Sequence, residues 1–170
     1  AHTRLDALLT RAPNYSAALI MKSRWLVLEN KLDEALARAR PAGAADPQSS
    51  EAHFALAIAQ ERRRETADAT KSYQEVLRLN PRAVAAQVAL SRLNLQAGDK
   101  ARAQRFAEEA KQSEPGNLAA RIALVRSLIA SGNSSRAQSE IAVLLKGAPD
   151  IAMVHAVNGM HQARVNNPKA

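Results

Sequence analysis

The chain has 170 residues, 46% of them hydrophobic and only 3% aromatic, with 24 basic against 16 acidic side chains and a formal charge of +8. With so few rings and so much alanine, a core must be built from small and aliphatic side chains on closely approaching helices. Having no cysteine, the sequence excludes disulfides, thiolate nucleophiles and cysteine metal sites, and no apolar run reaches the roughly 18 to 20 residues of a membrane-spanning helix.

Read along the chain, a first helical stretch over 1–12 stops at Pro13. Helices are then predicted over 16–29 and 33–46, 50–63 and 67–80, 84–97 and 101–114, 118–131 and 135–147, and finally 152–166, ten segments in all. Pro47, Pro81, Pro115 and Pro149 separate the pairs, because proline lacks an amide donor and restricts the residue before it. Within pairs, Ala97-Gly98-Asp99 and Ser131-Gly132-Asn133 put glycine where one helix ends and a capping Asp or Asn where the next begins. Arg40-Pro41-Ala42-Gly43 breaks this pattern: a proline inside a helix costs about 3 kcal/mol, so a bend or early end is expected near Arg40.

These elements recur at a fixed interval. Pro13, Pro47, Pro81, Pro115 and Pro149 are spaced 34 residues apart, as are Ala1, Ala35, Ala69, Ala103 and Ala137, and Ala18, Ala52, Ala86 and Ala120. Such self-similarity means stacked helical hairpins whose faces are buried by their neighbours. The sequence resembles the tetratricopeptide-repeat family over its whole length. Leu56, Leu90 and Leu124 match the family's first-helix Leu, Ser23, Ala57, Ser91 and Gly159 its small residue, and Tyr73 its second-helix aromatic. Ala39, Ala107 and Ile141 depart from that aromatic, Lys22 from the Leu, and Val125 from the small residue.

The resemblance implies an all-α, right-handed superhelical solenoid of antiparallel hairpins. Full repeats would cover 16–49, 50–83, 84–117 and 118–151, flanked by the second helix of a truncated repeat over 1–15 and the first helix of another over 152–170, where Pro168 would open a missing partner helix. On this reading the chain is part of a longer array. The half-hairpins would leave apolar surface near Leu5, Leu8 and Leu9 and near Val154, Val157 and Met160, suited to self-association.

In this family the first helices line a concave groove, chiefly through repeat positions 2, 5, 6, 9, 12 and 13. Position 5 of the repeat is Ile20, Phe54, Val88 and Ile122, and position 9 is Arg24, Ile58, Arg92 and Arg126, with Arg62 at position 13 beside Ile58. The resemblance thus implies an apolar stripe beside a discontinuous arginine ladder, suited to a peptide with acidic and apolar residues or solvating the groove only. The carboxylate clamp of chaperone-tail binders is not reproduced, because its positions hold Ile20, Arg24, Ala55, Ala85 and Ala89.

Catalytic and metal chemistry find no constellation. His2, His53, His155 and His161 are too far apart, or six residues apart, to share a helix face, the glycines form no phosphate loop, and no nucleophile, base and orienter are grouped, so no cofactor and no enzyme activity are expected. The basic charge and Arg62-Arg63-Arg64 raise a nucleic-acid reading, which the five aromatics, with Trp25, Phe54 and Phe106 at core spacing, weigh against. The expected function is a protein-protein interaction scaffold that holds a protein or peptide in its groove. Repeats worded like ALIMKSRWLVLENKLDEAL resemble bacterial arrays serving envelope polysaccharide export. The alternatives are a binder of an anionic polymer or nucleic acid, and a purely structural segment of a longer solenoid. Cytoplasm and periplasm both stay open, since AHTRLDALLT lacks a signal peptide's charged and apolar regions and a targeting signal could lie outside the sequence.

Overall fold

In the computed structural model residues 2–166 are described; Ala1 and Pro168, placed above in the repeat register, lie outside them. The described residues form ten α-helices and no strand: α1 (His2–Arg11), α2 (Ser16–Leu28), α3 (Leu32–Ala45), α4 (Ser50–Arg62), α5 (Thr66–Leu79), α6 (Val84–Gln96), α7 (Lys100–Ser113), α8 (Leu118–Ala130), α9 (Ser134–Gly147) and α10 (Ala152–Asn166). The fold is all-α. Helices α2, α4, α6, α8 and α10 start 34 residues apart, and so do α3, α5, α7 and α9.

Contacts divide the chain into two compact units, Ala1–Pro81 and Arg82–Ala170. In the first, α2 packs against α1, α3 and α4, and α4 against α3 and α5. In the second, α8 packs against α6, α7, α9 and α10, and α10 also against α9. Each first helix is therefore covered on several sides. Apolar residues are accordingly spread around α2, α4, α6 and α8 but gathered on one face of α5, α7 and α9, whose other face meets water.

The alanine columns sit where helices meet. Ala35, Ala69, Ala103 and Ala137 are fully buried, as are Ala52, Ala86 and Ala120, while Ala18 is nearly so. A methyl at the contact lets two backbones approach to the short end of the ordinary interaxial range, about 8 Å. Tyr73 fills its column with a ring that meets Phe54 edge-on at 5.6 Å and donates to Glu61 Oε2. Ala39, Ala107 and Ile141 fill the same column fully buried, so a smaller residue there is accommodated.

Turns inside the hairpins also keep the period. Asn30, Arg64, Gly98 and Gly132 all have positive φ, at 60°, 64°, 81° and 77°, which the sequence signals only at the two glycines. Asp99 caps α7 by accepting from Arg102 N at 2.9 Å, and Ser49 and Asn117 do the same for α4 and α8. Asn133 makes no such side-chain bond at the start of α9, contrary to expectation. A further recurrent contact comes from position 4 of the repeat, where His53, Arg121 and His155 donate to the carbonyls of Pro47, Pro115 and Pro149.

Two expectations need correction. Helix α3 does not end near Arg40 but runs through Pro41 to Ala45. The turn beyond the proline is held from outside: Ala42 is fully buried, and its carbonyl accepts from Ser16 Oγ at 3.1 Å and from Asp46 N. At the ends, Leu5 and Leu9 are buried with Ala18, Leu19 and Ile20, and Val154 and Val157 join the core of α8 and α9, so of the six residues expected bare only Leu8 and Met160 are exposed. His161 anchors α10 as well, its Nε2 donating to Ser134 O at 3.1 Å.

The left-handed positions yield a test. Arg64 is exposed, and a non-glycine residue there carries about 1 kcal/mol of strain. Arg64→Gly should stabilise the protein by about 1 kcal/mol, seen as a rise of roughly 3 °C in the thermal midpoint. Gly98→Ala should lower it by a similar amount through the backbone alone, because an added Cβ meets nothing within 4 Å.

Candidate functional site: the groove of residues 82–170

Helices α6, α8 and α10 enclose an open groove of about 670 Å³. Val88 and Arg92 reach it from α6, Ile122 and Arg126 from α8, and Met153, Met160 and Arg164 from α10. Leu95 and Ile129 extend the apolar wall, and Lys100 at the start of α7 adds a fourth cation. No carboxylate lines it.

The structure thus brings together four of the nine residues singled out from sequence: Val88, Arg92, Ile122 and Arg126. In the first unit the residues of the same columns are mostly taken up by packing. Ile20 is buried against Leu5 and Leu9, Phe54 lies on Tyr73, and Ile58 packs on the cluster of Leu26, Val27 and Leu36, while Arg24 and Arg62 are exposed. Sequence reasoning omitted Leu95, Ile129, Met153, Met160 and Arg164. All five occupy repeat positions 2, 9, 12 or 13, the family's groove positions, so the signal was present. It was passed over because residues 152–166 were read as an unpaired end, whereas α10 closes the groove. Lys100 stands outside those positions and carries no such signal.

Charge in this unit is arranged in two classes. Glu140 on α9 receives Arg121 of α8 at 3.1 Å and Lys111 of α7, tying three helices together. Glu108 receives Arg136 at 3.0 Å, and Arg102 and Arg105 pair with Asp99 and Glu109. The Gln104 side-chain amide, and then Arg136, hold the Glu108 carboxyl below the usual carboxylate range. In the groove, Lys100 and Arg164 enter no ion pair among the described residues. Arg126 directs Nη2 to Met153 Sδ at 3.0 Å, and its Nε is buried without a partner. Leaving a charged donor so poorly satisfied costs the fold stability.

Among the described residues no three His, Cys, Asp or Glu are grouped to hold a metal ion, and no helix is long and apolar enough to cross a membrane.

Comparison with known proteins bears on this geometry. Residues 95–157, which include most of the groove, match the tetratricopeptide-repeat family model. The fold is that of the tetratricopeptide repeat. Among solved structures, YrrB, described as a tetratricopeptide protein with an unusual peptide-binding site, superposes with a TM-score of 0.78 at 17% identity, over 97% of this chain and 85% of that one. PilW, a type IV pilus biogenesis factor, gives 0.81 at 18% identity over 92% and 73%. The first tetratricopeptide domain of Spaghetti, bound to the HSP90 peptide SRMEEVD, gives 0.65 at 21% identity over 69% and 93%. Identities this low speak for the fold alone. No curated protein matches the sequence.

The two classes of charge should separate in stability measurements. Glu140→Gln removes a carboxylate shared by two cations and should lower the thermal midpoint, with a loss of about 1 kcal/mol after allowing for partial exposure. Arg126→Met should leave the midpoint unchanged or raise it, since the tetratricopeptide fold gains little from this guanidinium.

Proposed function

We propose that this protein is a non-enzymatic interaction scaffold whose groove holds an acidic, partly apolar segment of a partner protein. The observation that carries the reading is the lining of the groove, with Arg92, Lys100, Arg126 and Arg164 around an aliphatic and thioether floor and no acidic side chain among them. Guanidinium groups pair carboxylates through charged hydrogen bonds, and the floor gives apolar side chains a surface to leave water for. The net charge of +8 favours encounter with an anionic partner. In the same reading the first unit contributes the exposed Arg24 and Arg62 of the equivalent columns, while Ile20, Phe54 and Ile58 serve its packing, and the four 34-residue repeats 16–49, 50–83, 84–117 and 118–151 are the units of the scaffold. Peptide-bound and peptide-binding proteins of like fold show that this architecture can take a peptide, and a place in a bacterial envelope assembly such as polysaccharide export rests on the wording of the repeats alone.

Fluorescence anisotropy with labelled acidic-apolar peptides tests this. Arg92→Ala combined with Arg126→Ala should weaken binding by about 1 to 3 kcal/mol per lost charged hydrogen bond while the far-ultraviolet dichroism stays that of the parent. Affinity should persist between about 50 and 200 mM salt because part of it is apolar. Undiminished binding by the double variant would refute the groove, and a steep linear fall of log affinity with log salt would point to a polyanion instead.

A further inference from the structure

The chain keeps its methionines out of the core. A thioether ordinarily fills gaps in a packed interior, yet Met21, Met153 and Met160 are 50%, 45% and 48% exposed, and without cysteine they carry all of the sulfur. Packing does not ask for the side chain of Met153. Its place, the second of the repeat, is held elsewhere by Ala17, Glu51, Ala85 and Ala119, every one of them exposed. Among the described residues Met153 is also the methionine whose sulfur accepts from a cation, Arg126 Nη2 at 3.0 Å, in a contact that joins α10 to α8. A thioether is a weak acceptor, so the guanidinium keeps most of its hydrogen-bonding capacity for something else.

We propose that Met153 is a reversible oxidation site, at which a peroxide converts the thioether to a sulfoxide that then holds Arg126. The sulfur lone pair attacks one oxygen of the peroxide. As the S–O bond forms, the O–O bond breaks and sulfur gives up two electrons, while the proton of the transferred oxygen passes to the departing one, which leaves as water. A sulfoxide oxygen is polar and a strong acceptor where the sulfur was a weak one. It sits one bond from a sulfur that Arg126 already touches, so a rotation of the flexible side chain brings it to the guanidinium. Resting on the groove reading above, two changes then act together on a ligand: Arg126 is withheld from its carboxylates, and an apolar part of the floor acquires a group that costs free energy to desolvate. The core is not involved, because the oxidised atom belongs to a half-exposed side chain. Reduction restores the thioether, since methionine sulfoxide reductases remove both epimers. Met160 lines the same groove with equal exposure, but its sulfur accepts no hydrogen bond among the described residues, so an oxygen placed there turns to water.

The test uses the whole chain, its Met153→Leu and Met160→Leu variants, and hydrogen peroxide, with sulfoxides located by mass spectrometry of proteolytic peptides. One readout needs no ligand: labelling of Arg126 by phenylglyoxal, mapped the same way. It should fall several-fold when Met153 is a sulfoxide, return after treatment with both reductases, and stay constant through peroxide treatment of Met153→Leu. The second is anisotropy with labelled acidic-apolar peptides, compared within each variant before and after peroxide so that the variant's own affinity does not enter. Oxidation should weaken binding about tenfold, the effect of one charged hydrogen bond, in the parent and in Met160→Leu but not in Met153→Leu. The dichroism spectrum should not change. Arg126 labelled equally before and after oxidation of Met153 would overturn the proposal whether or not any peptide binds, and so would a dichroism change that marks oxidation as damage to the fold. Loss of peptide affinity in peroxide-treated Met153→Leu equal to that of the parent would overturn it too, by assigning the sensitivity to Met160. Peptides that fail to bind the reduced protein, with Arg126 still shielded on oxidation, would refute the groove reading and uphold the oxidation site.

Discussion

Two helices can pack at the short end of their range only where neither carries more than a methyl at the crossing point, and the hairpins here meet that condition twice per repeat. The columns from Ala18 to Ala120 and from Ala35 to Ala137 are buried almost without exception. Close approach fixes the separation the chain must bridge, and a three-residue turn with one left-handed position bridges it at Asn30, Arg64, Gly98 and Gly132. Once helix separation and turn are fixed, helix length and period follow. A longer side chain in either column would push the hairpin apart and disturb both neighbours, because overpacking is relieved only by shifting backbone.

Periodicity made the helices readable to within a residue or so, because a proline or a glycine marks most ends. What failed was reasoning that treated a local signal as decisive. Pro41 removes one amide and crowds one carbonyl, but the next turn of α3 is buried at Ala42 and bonded through Ser16, and those long-range contacts outweigh the local penalty. The end helices were misjudged for a related reason. A half-hairpin lacks one neighbour, not every neighbour: α1 still lies on α2, and α10 still lies on α8 and α9. Leu5, Leu9, Val154 and Val157 are spent on those contacts.

The groove was legible in its columns and illegible in its closure. Val88, Arg92, Ile122 and Arg126 follow from repeat position, because equivalent residues of stacked hairpins recur on one surface. Closure needs α10, and neither Met153 nor Met160 stands out in a sequence where methionine is as often filler as ligand surface. The packing of Ile20 against α1 shows the converse, an apolar residue at a groove position that goes to the core because a neighbouring helix reaches it first.

A repeat protein carries its own controls, since residues in one column share a backbone setting. Ser23 and Ser91 hold the same position, are both fully buried, and both leave Oγ without a partner. Their shared orphan hydroxyl is a consequence of needing a small residue there, so the presence of Ser91 in the groove says nothing about ligands. His53, Arg121 and His155 likewise share a bond to a proline carbonyl, which marks that column as structural whatever the side chain. The arginine column behaves differently. Arg24 is exposed in the first unit, whereas Arg126 sits against a sulfur with a buried, unpartnered Nε. No packing requirement common to the column explains that placement, because Ile58 occupies the same position by packing on Leu26, Val27 and Leu36. An aliphatic side chain fills that position well two repeats away, so the poorly satisfied guanidinium of Arg126 answers to no need of the packing, and it is the residue at which the proposed acidic partner is to be tested first.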